Sequence, residues 1–130
     1  MARDRFLEQE SAGWAIQARG LTKRYGPFVA VDGIDFQVRR GECFGFLGPN
    51  GAGKTTTVRM IEGLSPVTSG ELWVLGMDVT AKSRQVKARL GVVPQEDNLD
   101  PELTVMENLE VYGSYYGLPG GEARRRAQEL

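Results

Sequence analysis

Nine consecutive residues, Gly48-Pro49-Asn50-Gly51-Ala52-Gly53-Lys54-Thr55-Thr56, have the composition and spacing needed to hold a row of phosphates. The eight from Gly48 to Thr55 fit G-x-x-x-x-G-K-[ST], the P-loop pattern. Gly48, Gly51 and Gly53 can take backbone angles closed to other residues, which lets the main chain approach a ligand closely. The amide N–H groups of such a loop converge on an anion. Lys54 adds a mobile positive charge for the β- and γ-phosphates, and the Thr55 hydroxyl suits Mg2+. A helix starting at Lys54 would aim its unpaired N–H groups and the positive end of its dipole at the same phosphates. The alternative is a glycine-rich turn that happens to contain Lys-Thr, and the flanks argue against it. Glu42-Cys43-Phe44-Gly45-Phe46-Leu47 reads as a short buried strand. After the loop, Val58, Ile61 and Leu64 recur at helical spacing, and Gly63 stands where a helix C-cap belongs. Strand, glycine loop and helix together point to a nucleoside-triphosphate site.

The remaining elements must position that loop. Residues 1–13 are mixed and charged and read as a flexible tail. Trp14 to Tyr25 alternates in part, as a half-buried strand would, and Gly26-Pro27 marks a turn. Phe28 to Val38 alternates again, with Ile34, Phe36 and Val38 on one face and Gly33 at a bulge or bend. With the strand entering the loop, this gives three strands before the first helix. Past the P-loop helix, Glu71 to Leu75 reads as a strand, Lys82 to Arg89 as a short polar helix, and Leu90-Gly91-Val92-Val93 as a second buried strand stopped by Pro94. Thr104-Val105-Met106-Glu107 is a capping box. Its helix carries Val105, Leu109, Tyr112 and Tyr116 along one face and breaks at Gly117, a stripe that suits packing better than ligand binding. Glu122 to Leu130 begins another helix, on which Arg124-Arg125-Arg126 reads as a solvated face.

The whole composition sets bounds. In 130 residues, hydrophobic content of 41% and charged content of 25% are ordinary for a globular protein. Sixteen basic and seventeen acidic residues give a net charge of −1, so nothing global favours nucleic acid. No apolar run approaches the ~18 residues needed to span a membrane, and the opening Met1-Ala2-Arg3-Asp4-Arg5 leads into no secretory signal. Cys43 is the single cysteine, so no disulfide forms within the chain, and its place in the expected strand suggests a packed core thiol.

Taken in order, Tyr25, the P-loop and Val92-Val93-Pro94-Gln95-Glu96 resemble the ATP-binding subunits of ABC transporters. The likeness runs from about Ile16 to the last residue. Leu21-Thr22-Lys23-Arg24-Tyr25-Gly26 looks like that family's opening strand, whose aromatic residue stacks on adenine. Gly48 to Thr56 matches its Walker A motif. Gln95 falls where the family has its Q-loop glutamine, which meets Mg2+ and the attacking water and faces the membrane partner. Asp97-Asn98-Leu99-Asp100 followed by Leu103 to Leu109 looks like the exporter branch of antibiotic-resistance and nodulation-signal ATPases. Chemistry suits these roles. An aromatic face against a base is worth about 1–3 kcal/mol, and a glutamine offers both a carbonyl acceptor and an amide donor to metal and water. Tyr25 as an ordinary strand-end aromatic and Gln95 as a surface loop glutamine stay open as alternatives.

The resemblance implies an α/β fold: a RecA-like P-loop NTPase core, incomplete at the C-terminus, with an N-terminal antiparallel β-subdomain. Residues 14–130 would form the N-terminal portion of an ABC-type domain. They hold neither the family's signature motif nor its Walker B acids, and with no histidine in the chain they lack its switch histidine. Asp78, after the apolar run Leu72 to Met77, has no second carboxylate following it and is a poor Walker B candidate. The chain is therefore expected to be a fragment, inactive alone, of a domain that binds ATP and Mg2+ through Thr55 and Gln95. Such a domain pairs with a second ATP-binding subunit and drives export through a membrane permease from the cytoplasmic face. The rivals are a soluble ABC-type ATPase of translation or DNA repair, a small-molecule kinase, and a non-catalytic remnant.

Overall fold

The computed structural model describes residues 13–96 and 98–130, so the expected tail lies outside the described residues except for Gly13. The chain divides into two compact units, one ending at Leu90 and the other running from Gly91 to Leu130.

The first unit is built on a four-stranded antiparallel sheet with strand order β2-β1-β3-β4. Its strands are β1 (Trp14–Tyr25), β2 (Phe28–Arg39), β3 (Ser69–Val74) and β4 (Met77–Asp78). Helix α1 (Lys54–Ile61) and the short α2 (Ser83–Lys87) complete it. The turn between β1 and β2 has two central residues, and a tight hairpin of this length needs a positive φ at the first. Gly26 supplies it at 57°, and Pro27 presets the second. The hairpin sets Tyr25 directly opposite Phe28. Gly33 stands at a slip in the ladder, between the pairs Leu21–Ile34 and Lys23–Val31. Such slips break the strict alternation of β1, so that Leu21, Thr22 and Lys23 are all buried in succession.

The core joins Ala18 and Leu21 of β1, Val31 of β2, Leu72 and Val74 of β3, Val79, and Val86 of α2 to Met60 and Ile61 of α1. Full burial of a side chain such as Met60 contributes about 1.5–3 kcal/mol. Helix α1 therefore docks on Thr57, Met60 and Ile61. Of the expected stripe only Ile61 is buried; Val58 and Leu64 are exposed. Three- and four-residue spacing admits two overlapping stripes, and contact with the sheet selects between them. Gly63 ends the helix with φ 69°, as its position implied.

Two expected strands do not form. Residues 42–49 carry no ladder, and Leu47 is 97% exposed. Residues 90–93 carry none either, and Val93 is 96% exposed. A strand exists only through hydrogen bonds to a neighbour, and an apolar run encodes burial without supplying that neighbour. Two strands, not three, thus precede the first helix. Phe44 and Phe46 instead gather with Phe36 of β2 at ring-centroid distances of 5.2 to 5.9 Å. Cys43, expected to be a packed thiol, is exposed because the segment carrying it has no sheet to enter.

The second unit contains α3 (Val105–Tyr115) and α4 (Gly120–Glu129). The capping box is formed: the Thr104 hydroxyl accepts the Glu107 N–H, and the Glu107 carboxylate accepts the Thr104 N–H at 2.8 Å. The helices pass so closely that a Cβ on Gly113 would stand 2.8 Å from that of Ala123. The stripe from Val105 to Tyr116 lies largely open, with Tyr112 half-buried. Arg124, Arg125 and Arg126 are exposed and paired with Glu110, Glu129 and Glu122.

Candidate phosphate-binding site

Gly53 seats the loop on the sheet. It caps the N-terminus of α1 with φ 91°, and a Cβ there would lie 2.4 Å from the Ala30 carbonyl oxygen of β2. Only a residue without a side chain permits that approach in that conformation. No side chain caps the helix, so its first-turn N–H groups remain available to an anion. Thr57, one turn on, donates its hydroxyl to the Gly53 carbonyl at 2.9 Å and faces inward. The loop is braced by the Ala52 N–H on the Pro49 carbonyl at 3.2 Å.

Lys54 turns its ammonium back over the loop, donating to the carbonyls of Gly48 and, at 2.8 Å, Pro49. Neither contact neutralises its charge. A cavity of about 190 Å³ opens beside it, lined by Phe28, Ala30, Asn50, Gly51, Gly53 and the residues from Lys54 to Thr56. Thr55 is exposed on this cavity, and no described residue hydrogen-bonds its hydroxyl. One hydroxyl beside a phosphate cradle fits Mg2+, which keeps several waters and takes few protein ligands when phosphates supply the rest. Among the described residues no cluster of three His, Cys, Asp or Glu offers a metal another place.

Phe28 is a residue that the motif did not point to. The signal was available: in a hairpin with two turn residues, the residues flanking the turn pair and project from the same face. The pairing of Tyr25 with Phe28 therefore sets Tyr25, half-exposed, on the face that Phe28 presents to the cavity. Asp78 is occupied otherwise, its carboxylate accepting the N–H groups of Thr80 and Ala81 at the end of β4. Gln95 belongs to the second unit. There it is exposed and lines an apolar cavity of about 740 Å³ with Leu99, Leu103, Leu109 and Tyr112. The loop forming that wall is fastened by Asn108, whose buried amide donates to the carbonyls of Asp100 and Thr104 at 3.0 and 3.1 Å.

The family model described as ABC transporter matches residues 31–130. The chain belongs to the ABC transporter family. The matched residues include the whole P-loop, Gly48 to Thr55. Among curated ABC proteins, the Nod factor export ATP-binding protein I of Ralstonia nicotianae is 51% identical over 88% of this chain and 36% of its own length. The protein of that name in Cupriavidus metallidurans is 48% identical over 88% and 38%. The chain thus spans a little over a third of the length of these relatives. A solved ATP-binding subunit of an ABC transporter superposes with a TM-score of 0.73 at 29% identity, over 86% of this chain and 47% of that one. The dimeric ATP-binding cassette MJ0796 bound to ADP and Pi superposes at 0.70 with 27% identity, over 88% and 54%. The fold is accordingly that of the P-loop ABC cassettes, here the antiparallel β-subdomain, the P-loop with its helix, and a helical pair.

Proposed function

We propose that the chain is the N-terminal part of the ATP-binding subunit of an ABC exporter, coupling ATP binding and hydrolysis in the whole protein to a separate membrane permease. The observation that carries this reading is the P-loop seated on β2 through Gly53, with Lys54, Thr55 and the uncapped turn of α1 around one cavity. Phosphates would lie over that turn. Lys54 would exchange the carbonyls of Gly48 and Pro49 for phosphate oxygens, and the backbone from Asn50 to Thr56 would supply N–H donors. Thr55 would hold Mg2+, which when bound neutralises charge on the β- and γ-oxygens. Tyr25 would offer a ring face to adenine. Gln95, in the second unit, would position metal and water and face the permease.

Export is the role named for the Ralstonia and Cupriavidus relatives. Pairing with a second ATP-binding subunit follows the dimeric state named for the MJ0796 cassette. Location at the cytoplasmic face would come through the permease, since no helix among the described residues is long and apolar enough to cross a membrane.

Lys54→Ala tests the reading. Loss of one hydrogen bond to a charged group costs about 1.5–3 kcal/mol, so affinity for a fluorescent ATP analogue should fall tenfold or more. The melting temperature without nucleotide should not move, because Lys54 packs into no core. Binding within a few-fold of the unaltered chain would remove Lys54 from the phosphate role.

A further inference from the structure

Lys23 is a buried lysine that no acid among the described residues faces as an ion pair. The residue is 6% exposed, a rare state for a lysine unless it is paired, and no carboxylate among the described residues pairs with it. Among the described residues the ammonium meets two groups. It donates to the Pro66 carbonyl at 2.6 Å and stands 4.9 Å from the centre of the Tyr25 ring, within the range of a cation–π contact. Tyr25 itself is 51% exposed.

The contact to Pro66 does not explain why a cation is used. The loop from Ser65 to Thr68 is already laced to β1 on both sides of Lys23. The Thr68 N–H donates to the Thr22 carbonyl at 3.0 Å, and the Arg24 N–H donates to the Thr68 hydroxyl at 3.0 Å. A neutral donor at position 23 would serve that lacing equally well. What the ammonium adds is a charge against one face of an exposed ring that would otherwise sample several rotamers at the end of a strand.

We propose that Lys23 is a positioning residue for the nucleotide base: its ammonium covers one face of the Tyr25 ring, fixes the ring, and leaves the opposite face open to a purine. The proposal rests on the reading of Tyr25 given above and adds to it the group that orients the ring. It also joins the base to the P-loop helix, because Pro66 lies in the segment that follows α1.

The test uses the full chain with two probes in the presence of Mg2+, ATP and inorganic triphosphate, the second of which has no base. Lys23→Gln keeps a donor for Pro66 and removes the charge, Lys23→Met removes both, and Lys23→Arg keeps both. Lys23→Gln should weaken ATP by about three- to tenfold, the size of a cation–π contact together with the freed ring rotamers. It should leave inorganic triphosphate within twofold, and Lys23→Arg should restore ATP binding. In a Tyr25→Ala background the effect of Lys23→Gln should vanish. Equal weakening of both probes, or an effect undiminished in that background, would overturn the proposal and leave Lys23 as a strut of the first unit. An unchanged ATP affinity in Lys23→Gln beside a weakened Tyr25→Ala would also overturn it while sparing the stacking role. A Tyr25→Ala chain that binds ATP normally would overturn both. If Lys23→Met fails to fold, Lys23→Gln and Lys23→Arg still carry the comparison.

Discussion

At the scale of single residues, the site depends on what is missing from Gly53 and what is present on Tyr25. An alanine at position 53 would need φ near 91° and would place its Cβ 2.4 Å from the Ala30 carbonyl oxygen. Left-handed backbone costs about 1–2 kcal/mol for a residue with a side chain, and overpacking adds about 1–3. Gly53→Ala should therefore lower stability by about 3 kcal/mol in urea titration, and it should abolish ATP binding even where the chain remains folded. Tyr25→Ala, on a half-exposed ring outside the core, should lower stability only by the loss of the Lys23 contact, about 0.5–1 kcal/mol. It should weaken ATP by about 1–3 kcal/mol, with Tyr25→Trp restoring most of the loss in a calorimetric titration. Equal ATP affinity in the unaltered and Tyr25→Ala chains would return the ring to the role of a strand-end aromatic.

At the scale of elements, the α3–α4 pair is a case in which two effects oppose. Gly113 lies inside α3, where alanine would ordinarily stabilise by up to about 1 kcal/mol. A Cβ there would stand 2.8 Å from the Ala123 Cβ, and both atoms are fixed to helix backbone. The clash should win: Gly113→Ala is expected to destabilise the second unit by about 1–2 kcal/mol net. Ala123→Gly in the same chain should relieve the clash, leaving only the glycine's own helix cost. Hydrogen exchange of α3 and α4 would read both changes. The capping box at Thr104 adds a pH dependence. The Thr104 hydroxyl and N–H both donate to the Glu107 carboxylate and hold its pKa below the ordinary value. A lowered folded-state pKa means that this contribution is fully present above the unfolded value, about 4.3 for glutamate. It is lost as pH falls through the lower folded value. Thr104→Ala should cost about 1 kcal/mol at neutral pH through the lost cap. It should also flatten the acid side of the α3 stability profile. An acid profile identical in both chains would separate Glu107 from that dependence.

At the scale of the whole chain, residues 42–49 and 91–94 are apolar in part and join no strand ladder. Phe44, Leu47, Val92 and Val93 are all exposed there. Exposed apolar side chains on segments that no ladder holds invite association with other chains. Sedimentation of the 130-residue chain should show concentration-dependent self-association, reduced by a Leu47→Glu, Val93→Glu double substitution. The same chain should release no phosphate from ATP above a Lys54→Ala control. In-line attack needs a held water and charge stabilisation from several sides. The described P-loop cavity has no carboxylate in its lining, and the chain has no histidine. Lys54-dependent turnover at the rate of a full ATPase would overturn this expectation and call for a catalytic carboxylate, with Asp78 and Glu96 the first to substitute.

What the sequence determined by itself was local. The P-loop, the caps at Gly63 and Thr104 and the hairpin at Gly26-Pro27 follow from residue types within a few positions of one another, because turn and cap chemistry is short-ranged; the short helix expected over Lys82 to Arg89 forms over Ser83–Lys87. The parts decided by tertiary structure all depend on a distant neighbour. Cys43 to Leu47 and Leu90 to Val93 carry the apolar composition of buried strands, yet composition cannot provide the chain that hydrogen-bonds beside them. The helix after the loop could bury either Val58 and Leu64 or Thr57 and Met60, and only its seat on β2 and β3 decided. Phe28 joins the site through the register of the hairpin, and Lys23 joins Tyr25 through a slip in the ladder that turns three consecutive residues inward. Periodicity records which faces prefer to be dry, whereas partner, register and depth arise only when separate segments meet.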